Sequence, residues 1–218
     1  MASHDRILVL KKEIHIQVEG QNLILLQERA VYWQEQNTLL IADLHAGKAT
    51  HFRNNGIPLS SDHLLKDFNA ILSAIKRLSA SKLIFLGDLY HTTSNIENEL
   101  IDSWLGELTI DVELIIGNHD IHSIHTSKLA HRMPYVLDNI LLSHEPQESK
   151  YFNIYGHLHP TFSLTGKGRQ HLKFPCFYHG KKHLVLPAFG SVNGGKTYKK
   201  LVSKSDVYLV SSEGIIAI

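Results

Sequence analysis

One stretch of the chain, residues 39–45, reads Leu-Leu-Ile-Ala-Asp-Leu-His, a short apolar run that ends abruptly in an acidic residue and a histidine. Residues 83–88, Leu-Ile-Phe-Leu-Gly-Asp, repeat this arrangement. Continuous apolar runs of this length are typical of strands that are buried on both faces of a sheet. Between them, apolar residues recur at helical spacing from Leu64 to Leu78, after the candidate cap Ser61, and predict a helix. Strand, helix and strand in this order predict an α/β fold.

The rest of the chain continues this pattern and adds hairpins at both ends. Residues 14–18 and 23–27 flank a candidate turn and predict the first hairpin. Ser94 and Glu97 form a capping-box pattern in front of a second helix that reaches Leu108. Further strands are predicted at residues 112–116, 140–142, 152–155, 161–164, 172–178, 184–186 and 207–210. Because no repeat or linker interrupts the chain, we expect a single α/β domain over residues 1–218.

Composition narrows the classes to which this chain can belong. The 218 residues are 43% hydrophobic and 20% charged, a balance typical of a globular protein. No apolar run reaches the roughly 18 residues of a membrane span, and the chain starts without a signal-peptide pattern, so we expect a soluble cytoplasmic protein with no membrane partner. Cys176 is the only cysteine, which excludes an internal disulfide and a thiolate metal cluster. Any metal is therefore held by nitrogen and oxygen, and 16 histidines favour a histidine-rich site.

Charge is unevenly distributed along the chain, although the formal net charge is only +1. Residues 160–205, here called the basic segment, contain nine Lys or Arg and no Asp or Glu. The remainder then has 13 basic against 21 acidic residues. A segment of this kind predicts either a polyanionic partner or an ordinary solvated surface rich in lysine.

Residues that can perform chemistry follow five of the apolar runs. In chain order these strand ends carry Asp43-Leu44-His45, Gly87-Asp88, Gly117-Asn118-His119-Asp120, His144 and Gly156-His157-Leu158-His159. The carboxyl ends of strands in α/β sheets face one crevice, so these side chains are expected to converge. A lone Asp-x-His or His-x-His usually has an ordinary structural role, but five such elements in this order predict one site. The glycines before three of these residues are expected to let the chain turn sharply.

These motifs resemble the signature of the calcineurin-like metallophosphoesterases, whose fold is a two-sheet sandwich flanked by helices in four layers, α-β-β-α. Within that superfamily the sequence resembles a bacterial branch that is associated with DNA ligase and helicase and is described as DNA damage response endonucleases. The features shared with this branch are residues 42–48, 52–53, 56–58, 87–91, 156–160 and 186–190. The sequence departs from the expected pattern at Ala46, which is small, and at Glu145-Pro146, which replaces the Gly-His common after the ligand His144.

The resemblance implies two divalent metal ions held by seven side chains. The first metal would be held by Asp43, His45 and His159, the second by Asn118, His144 and His157, and both by the bridging Asp88. Two such metals about 3.5 to 4 Å apart lower the pKa of a shared water and clamp a phosphorus for in-line displacement. A ligand set rich in nitrogen suits Mn²⁺, with Fe or Zn²⁺ as alternatives, better than Mg²⁺ or Ca²⁺.

Several residues beside the ligands receive roles in the reaction. His119, next to the ligand Asn118, is placed to donate a proton to the leaving alkoxide or to stabilise a transition-state oxygen. Asp120 would orient His119. Three residues on loops beside the motifs are candidates for substrate binding, with a solvated loop side chain as the alternative: Lys48, Arg53 and His91.

The expected function is that of a two-metal phosphohydrolase, and within that class a phosphodiesterase or nuclease acting on DNA, with a DNA ligase and a helicase as partners by resemblance. A small-molecule phosphodiesterase or phosphatase is the first alternative, and a non-catalytic protein that binds nucleic acid or a repair partner is the second. Residues 190–197 also match the phosphate-binding loop pattern G-x-x-x-x-G-K-[ST] of nucleotide hydrolases. That loop requires a long helix after it, whereas here a strand is predicted at residues 207–210.

Overall fold

The computed structural model describes residues 9–54, 56, 62–91, 96–122, 129–165 and 171–218. The strands in these ranges are β1 (Leu10–Lys11), β2 (Glu13–Val18), β3 (Gln21–Leu26), β4 (Val31–Trp33), β5 (Thr38–Ile41), β6 (Lys82–Leu86), β7 (Asp111–Ile115), β8 (Ala130–Arg132), β9 (Tyr135–Leu137), β10 (Ile140–Leu142), β11 (Phe152–Tyr155), β12 (Thr161–Thr165), β13 (His171–Gly180), β14 (His183–Val185), β15 (Ser205–Val210) and β16 (Ile215–Ala217). The helices are α1 (Lys48–Asn54), α2 (Asp62–Leu78), α3 (Ile96–Glu107) and α4 (Lys199–Val202), with a 3₁₀ turn at Asp120–His122. None of these helices is long and apolar enough to cross a membrane.

The first sheet has the strand order β2-β3-β4-β5-β6-β7-β8. Strands β2 to β5 are antiparallel neighbours, whereas β5 to β8 run parallel. The predicted hairpin is formed by β2 and β3. Parallel neighbours need long crossovers, and the two predicted helices, α2 and α3, lie in the crossovers that lead to β6 and β7. Their predicted caps, Ser61 and Ser94, lie outside the described residues.

The second sheet has the order β1-β16-β15-β13-β14-β11-β10-β9, with β12 paired to β13. Strands β10, β11 and β14 run parallel, and the other neighbours are antiparallel. Each strand predicted from residue 112 onward is present. The sequence pattern does not predict the short strands β1, β4, β8, β9 and β16, because two or three residues do not establish a period.

Three apolar clusters hold the layers together. Between the sheets, Trp33 of the first sheet is buried in one cluster with Ile154 and Phe177 of the second. The other face of the first sheet packs against α2 and α3, where the rings of Phe68 and Trp104 stack at 4.4 Å between centroids. The outer face of the second sheet is covered more thinly, by β12 and the single turn α4. These layers confirm the predicted α-β-β-α sandwich.

The segment 190–197, which matches a phosphate-binding loop in sequence, has a different structure here. It is followed by α4, which has four residues, and then by β15. Because a phosphate-binding loop opens a long helix, the structure confirms that this match is coincidental.

Trp33 is fully buried, and its indole N–H donates a hydrogen bond to Gln21 at 2.9 Å. We expect Trp33→Ala to lower the free energy of unfolding by about 3–5 kcal/mol, because it leaves a cavity between two sheets. Leu65 on α2 is 56% exposed, so the control Leu65→Ala should change this free energy by about 0.5 kcal/mol or less. Urea denaturation followed by circular dichroism measures both variants, and equal losses would place Trp33 outside the core.

Candidate metal centre

The seven predicted metal ligands follow strand ends at one edge of the sandwich. Strands β5, β6 and β7 are parallel neighbours in the first sheet, and β10 and β11 are parallel neighbours in the second. Parallel strands present their carboxyl ends at the same edge of a sheet, so the loops that follow them are adjacent. All seven side chains meet there: Asp43, His45, Asp88, Asn118, His144, His157 and His159.

The first group of ligand atoms comes from Asp43, His45 and His159. The Nε2 atoms of His45 and His159 lie 3.2 Å apart, and His159 Nε2 lies 3.3 Å from Asp43 Oδ1. Ligands of a tetrahedral metal with bonds of about 2.0–2.2 Å are separated by about 3.3–3.6 Å. The three atoms are therefore spaced as the ligands of one metal ion.

The second group comes from His144, His157 and Asn118. His144 Nε2 lies 3.1 Å from His157 Nδ1 and 3.2 Å from Asn118 Oδ1. The other ring nitrogen of His144, Nδ1, donates a hydrogen bond to the carbonyl oxygen of Leu86 at 3.0 Å. A bond of this kind orients the imidazole and leaves Nε2 as the ligand atom.

Asp88 lies between the two groups. Its Oδ2 atom is 3.7 Å from His45 Nε2 in the first group and 3.4 Å from His144 Nε2 in the second. Its Oδ1 atom accepts a hydrogen bond from the backbone N–H of His119 at 3.0 Å, which fixes the carboxylate. A carboxylate oxygen beside both groups has the position that the predicted bridging ligand needs.

The donor set fits divalent metal ions. Within the described residues, Asp43 Oδ1 is buried without a hydrogen-bond partner. Such an oxygen is costly to bury unless a cation compensates its charge. The ligand atoms are nitrogen and oxygen, since the single cysteine, Cys176, is buried in β13. This chemistry suits Mn²⁺, Fe or Zn²⁺, and the choice of Mn²⁺ stays a prediction.

Five of the seven ligands have a left-handed backbone conformation. The φ angles are 55° at Asp43, 51° at His45, 52° at Asp88, 63° at His157 and 45° at His159. Each such residue costs on the order of 1–3 kcal/mol and persists only where its surroundings hold it. Backbone hydrogen bonds between the loops do so, as from the N–H of His45 to the carbonyl oxygen of Asp88 at 2.9 Å. The loops thus hold one another in the conformation that directs these side chains into the site.

The glycines beside the ligands have two different roles. Gly87 has a φ of 81° and makes the sharp turn predicted from the sequence. For Gly117 and Gly156 the same explanation is wrong, because neither has a positive φ. A Cβ atom at Gly117 would overlap the carboxylate of Asp88, and one at Gly156 would overlap that of Asp43. These two positions need glycine because backbone and metal ligands approach each other closely.

Burial and neighbouring charges set the protonation of the ligands. Burial acts to raise the pKa of Asp88, but the hydrogen bond and the charge of His144 outweigh it and lower this pKa to about 2. Burial lowers the pKa of His45 to about 2, so its imidazole is neutral. Burial also acts to lower the pKa of His144, but contacts with Asp88 and Asp43 raise it to about 9. Binding of a metal at His144 therefore displaces a proton.

His119 lies at the exposed rim of the site. Its ring stacks on that of His91 at 5.2 Å between centroids and meets the ring of His45 edge-on at 5.1 Å. An imidazole that is open to solvent beside the ligands has the position of a proton donor to a bound substrate.

Asp120 is fully buried, and its carboxylate contacts the backbone. It accepts hydrogen bonds from the N–H groups of Asp88 at 2.7 Å, Gly117 at 2.8 Å and Tyr90 at 3.1 Å. Burial raises its pKa to about 6, although these bonds oppose the shift. The orienting role of Asp120 stays a prediction. Its hydrogen bonds hold the backbone of the turn that carries His119, so any orienting effect acts on this turn and not directly on the imidazole ring.

The structure brings two of the three predicted substrate-binding residues to the metal centre. His91 belongs to the ring stack beside the ligands. The Lys48 ammonium group is hydrogen-bonded to Asn193, which also bonds to the backbone carbonyl of Asp43. Burial lowers the pKa of Lys48, and the charges of Asp43 and Asp88 oppose this shift. Arg53 donates a hydrogen bond to Thr50 of the same helix at 2.5 Å. A role of Arg53 in substrate binding stays a prediction.

Residues 190–196 contribute contacts that no motif in the sequence indicates. Asn193 donates a hydrogen bond to the backbone carbonyl of Asp43 at 2.7 Å and accepts one from the Lys48 ammonium group at 2.8 Å. The carbonyl of Gly194 accepts a hydrogen bond from His159 Nδ1 at 3.1 Å, which leaves Nε2 of that ring as the ligand atom. The segment that matches a phosphate-binding loop therefore stabilises the loops that carry Asp43 and His159. The only signal for it in the sequence is the shared motif at residues 186–190 in front of it.

Two adjacent groups of nitrogen and oxygen atoms, with one carboxylate between them, form a candidate centre for two metal ions. The chain belongs to the calcineurin-like phosphoesterase family, whose model matches residues 37–209. This range contains all seven predicted ligands and His119.

A solved structure shows the same fold. The crystal structure of Pseudomonas putida nuclease MPE matches with a TM-score of 0.80 and 29% sequence identity, and covers 94% of this chain and 100% of that chain. The E. coli phosphoesterase Yfce matches with a TM-score of 0.42 and 15% identity over 80% of this chain and 88% of that chain. Among curated proteins, no sequence shows a significant match.

Asp88→Asn should lower metal content and abolish hydrolysis, because the position between the two ligand groups loses its negative charge. Inductively coupled plasma mass spectrometry of the purified variant measures the bound metal. Asp111→Asn removes the same charge at the exposed opposite end of β7 and should keep wild-type metal content. Full metal occupancy and turnover in Asp88→Asn would contradict the bridging assignment.

Proposed function

We propose that this phosphoesterase is a phosphodiesterase that cleaves DNA as a nuclease. The observation that carries the proposal is the exposed His119 ring, which meets the ring of His45 edge-on at 5.1 Å, while the backbone N–H of the same histidine is hydrogen-bonded to Asp88. A DNA strand leaves a cleaved diester as an alkoxide, which needs a proton. The similarity to a structure named as a nuclease supports the same class of substrate.

The proposed metal centre would carry a net positive charge. The seven ligands would hold two divalent ions, Mn²⁺ in this proposal, which when bound supply Lewis-acid activation of the phosphate and of a water. Asp43 and Asp88 are the only carboxylates among these ligands, so the loaded centre is positively charged. Such a centre attracts a phosphodiester anion.

The remaining groups of the chain bind and move a proton. His119 donates the proton from its ring to the leaving oxygen. The contacts with His91 and His45 limit the orientations of that ring. Lys48, which Asn193 holds at the first ligand group, adds a positive charge for the substrate phosphate.

The cellular context is also part of the proposal. A role in DNA repair in the cytoplasm, with a DNA ligase and a helicase as partners, is supported by the motifs shared with that bacterial branch, among them residues 42–48 and 186–190.

The described residues of the basic segment do not form one surface at the metal centre. Lys196 lies beside the ligand His159, to whose carbonyl its N–H donates a hydrogen bond at 3.1 Å. Lys181–Lys182 form the turn between β13 and β14, next to the start of β11, where the N–H of Asn153 bonds to the Lys182 carbonyl at 3.0 Å. The ligand His157 follows Asn153 after an extended run of about 13 Å. Residues 166–170 of the segment lie outside the described residues.

This separation bears on the substrate in two ways. The turn and the ligands lie at opposite ends of the buried strand β11, so one DNA duplex contacts both only if it runs along the outside of the sandwich over about four base pairs. The same separation favours a second candidate function, a small-molecule phosphodiesterase, because a small substrate contacts the metal centre alone.

An activity screen of Mn²⁺-loaded protein separates these functions. Its substrates are bis(4-nitrophenyl) phosphate, 4-nitrophenyl phosphate, and single- and double-stranded DNA. Cleavage of DNA is the expected result, whereas cleavage of the small diester alone would select the second candidate. Failure to hydrolyse any of the four would overturn the proposed function and favour a non-catalytic binding protein.

His119→Ala should slow DNA cleavage by about 10²- to 10⁴-fold, as is typical for the loss of a general acid, with metal content close to that of the wild type. The loss should be smaller for bis(4-nitrophenyl) phosphate, because nitrophenolate leaves without a proton. Steady-state rates on both substrates measure the difference. Equal losses would assign His119 to stabilisation of the transition-state charge.

Lys181→Glu/Lys182→Glu should weaken DNA binding and flatten its salt dependence, if both lysines contact phosphates of a duplex. The slope of log affinity against log salt should become less steep by about 0.9 for each phosphate that the variant no longer neutralises. Fluorescence anisotropy at several salt concentrations measures it. Lys66→Glu/Lys76→Glu on the exposed face of α2 changes the net charge equally and serves as the control. An unchanged slope in the first variant would identify the turn as an ordinary solvated surface.

A further inference from the structure

A cavity of about 480 Å³ opens directly beside the second group of ligands. Asn118 and His144 form the wall that it shares with the metal centre. The other walls are apolar at Ile116, Ile121, Met133 and Pro134, with Glu145 and Gln147 as polar groups. A substrate phosphate held by the ligands therefore has one of its two ester arms next to this cavity.

Two large apolar side chains of this cavity are open to solvent. Ile121 is 60% exposed and Met133 is 72% exposed. Single exposed apolar residues are common on protein surfaces, but these two line one concavity that adjoins a catalytic site. Concave, mostly apolar sites with a few polar groups are the usual form of binding sites for small organic groups.

Charge distinguishes this cavity from a second one on the other side of the centre. Among the described residues that line the apolar cavity there is no Lys or Arg, and Glu145 contributes a carboxylate. The second cleft, of about 200 Å³, is lined by the ligand His159 together with Arg29 and Lys173. A further phosphate of a nucleic acid is attracted to the cationic cleft and repelled by Glu145. The apolar cavity therefore suits the uncharged part of a nucleotide.

We propose that the cavity between Ile121 and Met133 binds the nucleoside that stays attached to the phosphate during cleavage, an inference that rests on the proposed nuclease function. The base packs its apolar faces on these two side chains, and its polar edge reaches Glu145 and Gln147. The leaving strand lies on the opposite side, because the ring of His119 contacts His45 and is not among the described groups that line the cavity.

This mode of binding has a consequence for sequence preference. Packing on aliphatic and thioether side chains uses the face of a base, which all four bases have. The site is therefore expected to accept any base next to the cleaved phosphate.

Two small diesters test the proposal: thymidine 5′-(4-nitrophenyl phosphate) and methyl 4-nitrophenyl phosphate. They release the same nitrophenolate and differ only in the retained group. Wild-type protein should show a kcat/KM for the thymidine ester that is larger by on the order of 10-fold, since removal of roughly 60 Å² of apolar surface from water corresponds to a factor of this size. In Ile121→Ser/Met133→Ser this ratio should fall towards one. Val136→Ser, at an exposed residue of neighbouring β9 that does not line the cavity, should keep the wild-type ratio.

Binding of free thymidine to metal-free protein, followed by NMR titration, gives a readout that does not depend on catalysis. Wild-type and Val136→Ser protein should bind thymidine more tightly than the double variant. If neither ester is hydrolysed but this difference in binding is found, the nuclease function fails and the nucleoside site stands. If thymidine binds equally to the wild type and the double variant, or the preference for its ester survives in that variant, the nucleoside site is overturned. Melting curves from circular dichroism confirm that both variants are folded.

Discussion

The carboxylate of Asp43 accepts a hydrogen bond from the backbone N–H of His157 at 2.8 Å, and this contact ties a loop of the first sheet to a loop of the second. The other oxygen of the same carboxylate faces His159 Nε2. Over most of their facing area the two sheets pack through apolar side chains, and such packing is not directional. The hydrogen bond from His157 to the charged carboxylate of Asp43 is directional and fixes the two strand ends relative to each other. It sets the two groups of ligands opposite each other, so the metal centre depends on it.

A second buried carboxylate organises the first sheet's half of the site. Asp120 binds the N–H groups of Asp88, Tyr90 and Gly117 and so joins the loops after β6 and β7. The left-handed conformations of the ligands are unfavourable locally, and contacts of this kind compensate for them. Close approach removes the room for side chains at Gly117 and Gly156. The left-handed backbone angles, the buried carboxylates and the close contacts at the glycines thus have one cause. Side chains from several loops converge on two adjacent metal positions.

The surroundings of the metal centre are asymmetric. Arg29 and Lys173 lie near the first ligand group, whereas Ile121 and Met133 lie near the second. A nucleic acid has the same asymmetry between its charged backbone and its apolar bases. The proposed nucleoside site pairs the apolar base with the apolar cavity and the charged backbone with the cationic cleft. His119 lies on the side of the leaving strand.

The sequence by itself determined the order of the main strands and helices and the positions of the predicted metal ligands. Apolar periodicity reports burial over a few residues, and polar residues that interrupt such a run mark the strand ends where ligands lie. Only the tertiary structure decided the separation of Lys181–Lys182 from the metal centre, the bracing contacts of Asn193 and the cavity beside Met133. Each of these depends on which distant loops become neighbours when the two sheets pack. That packing is a long-range property of sheet order and register, which no local pattern contains.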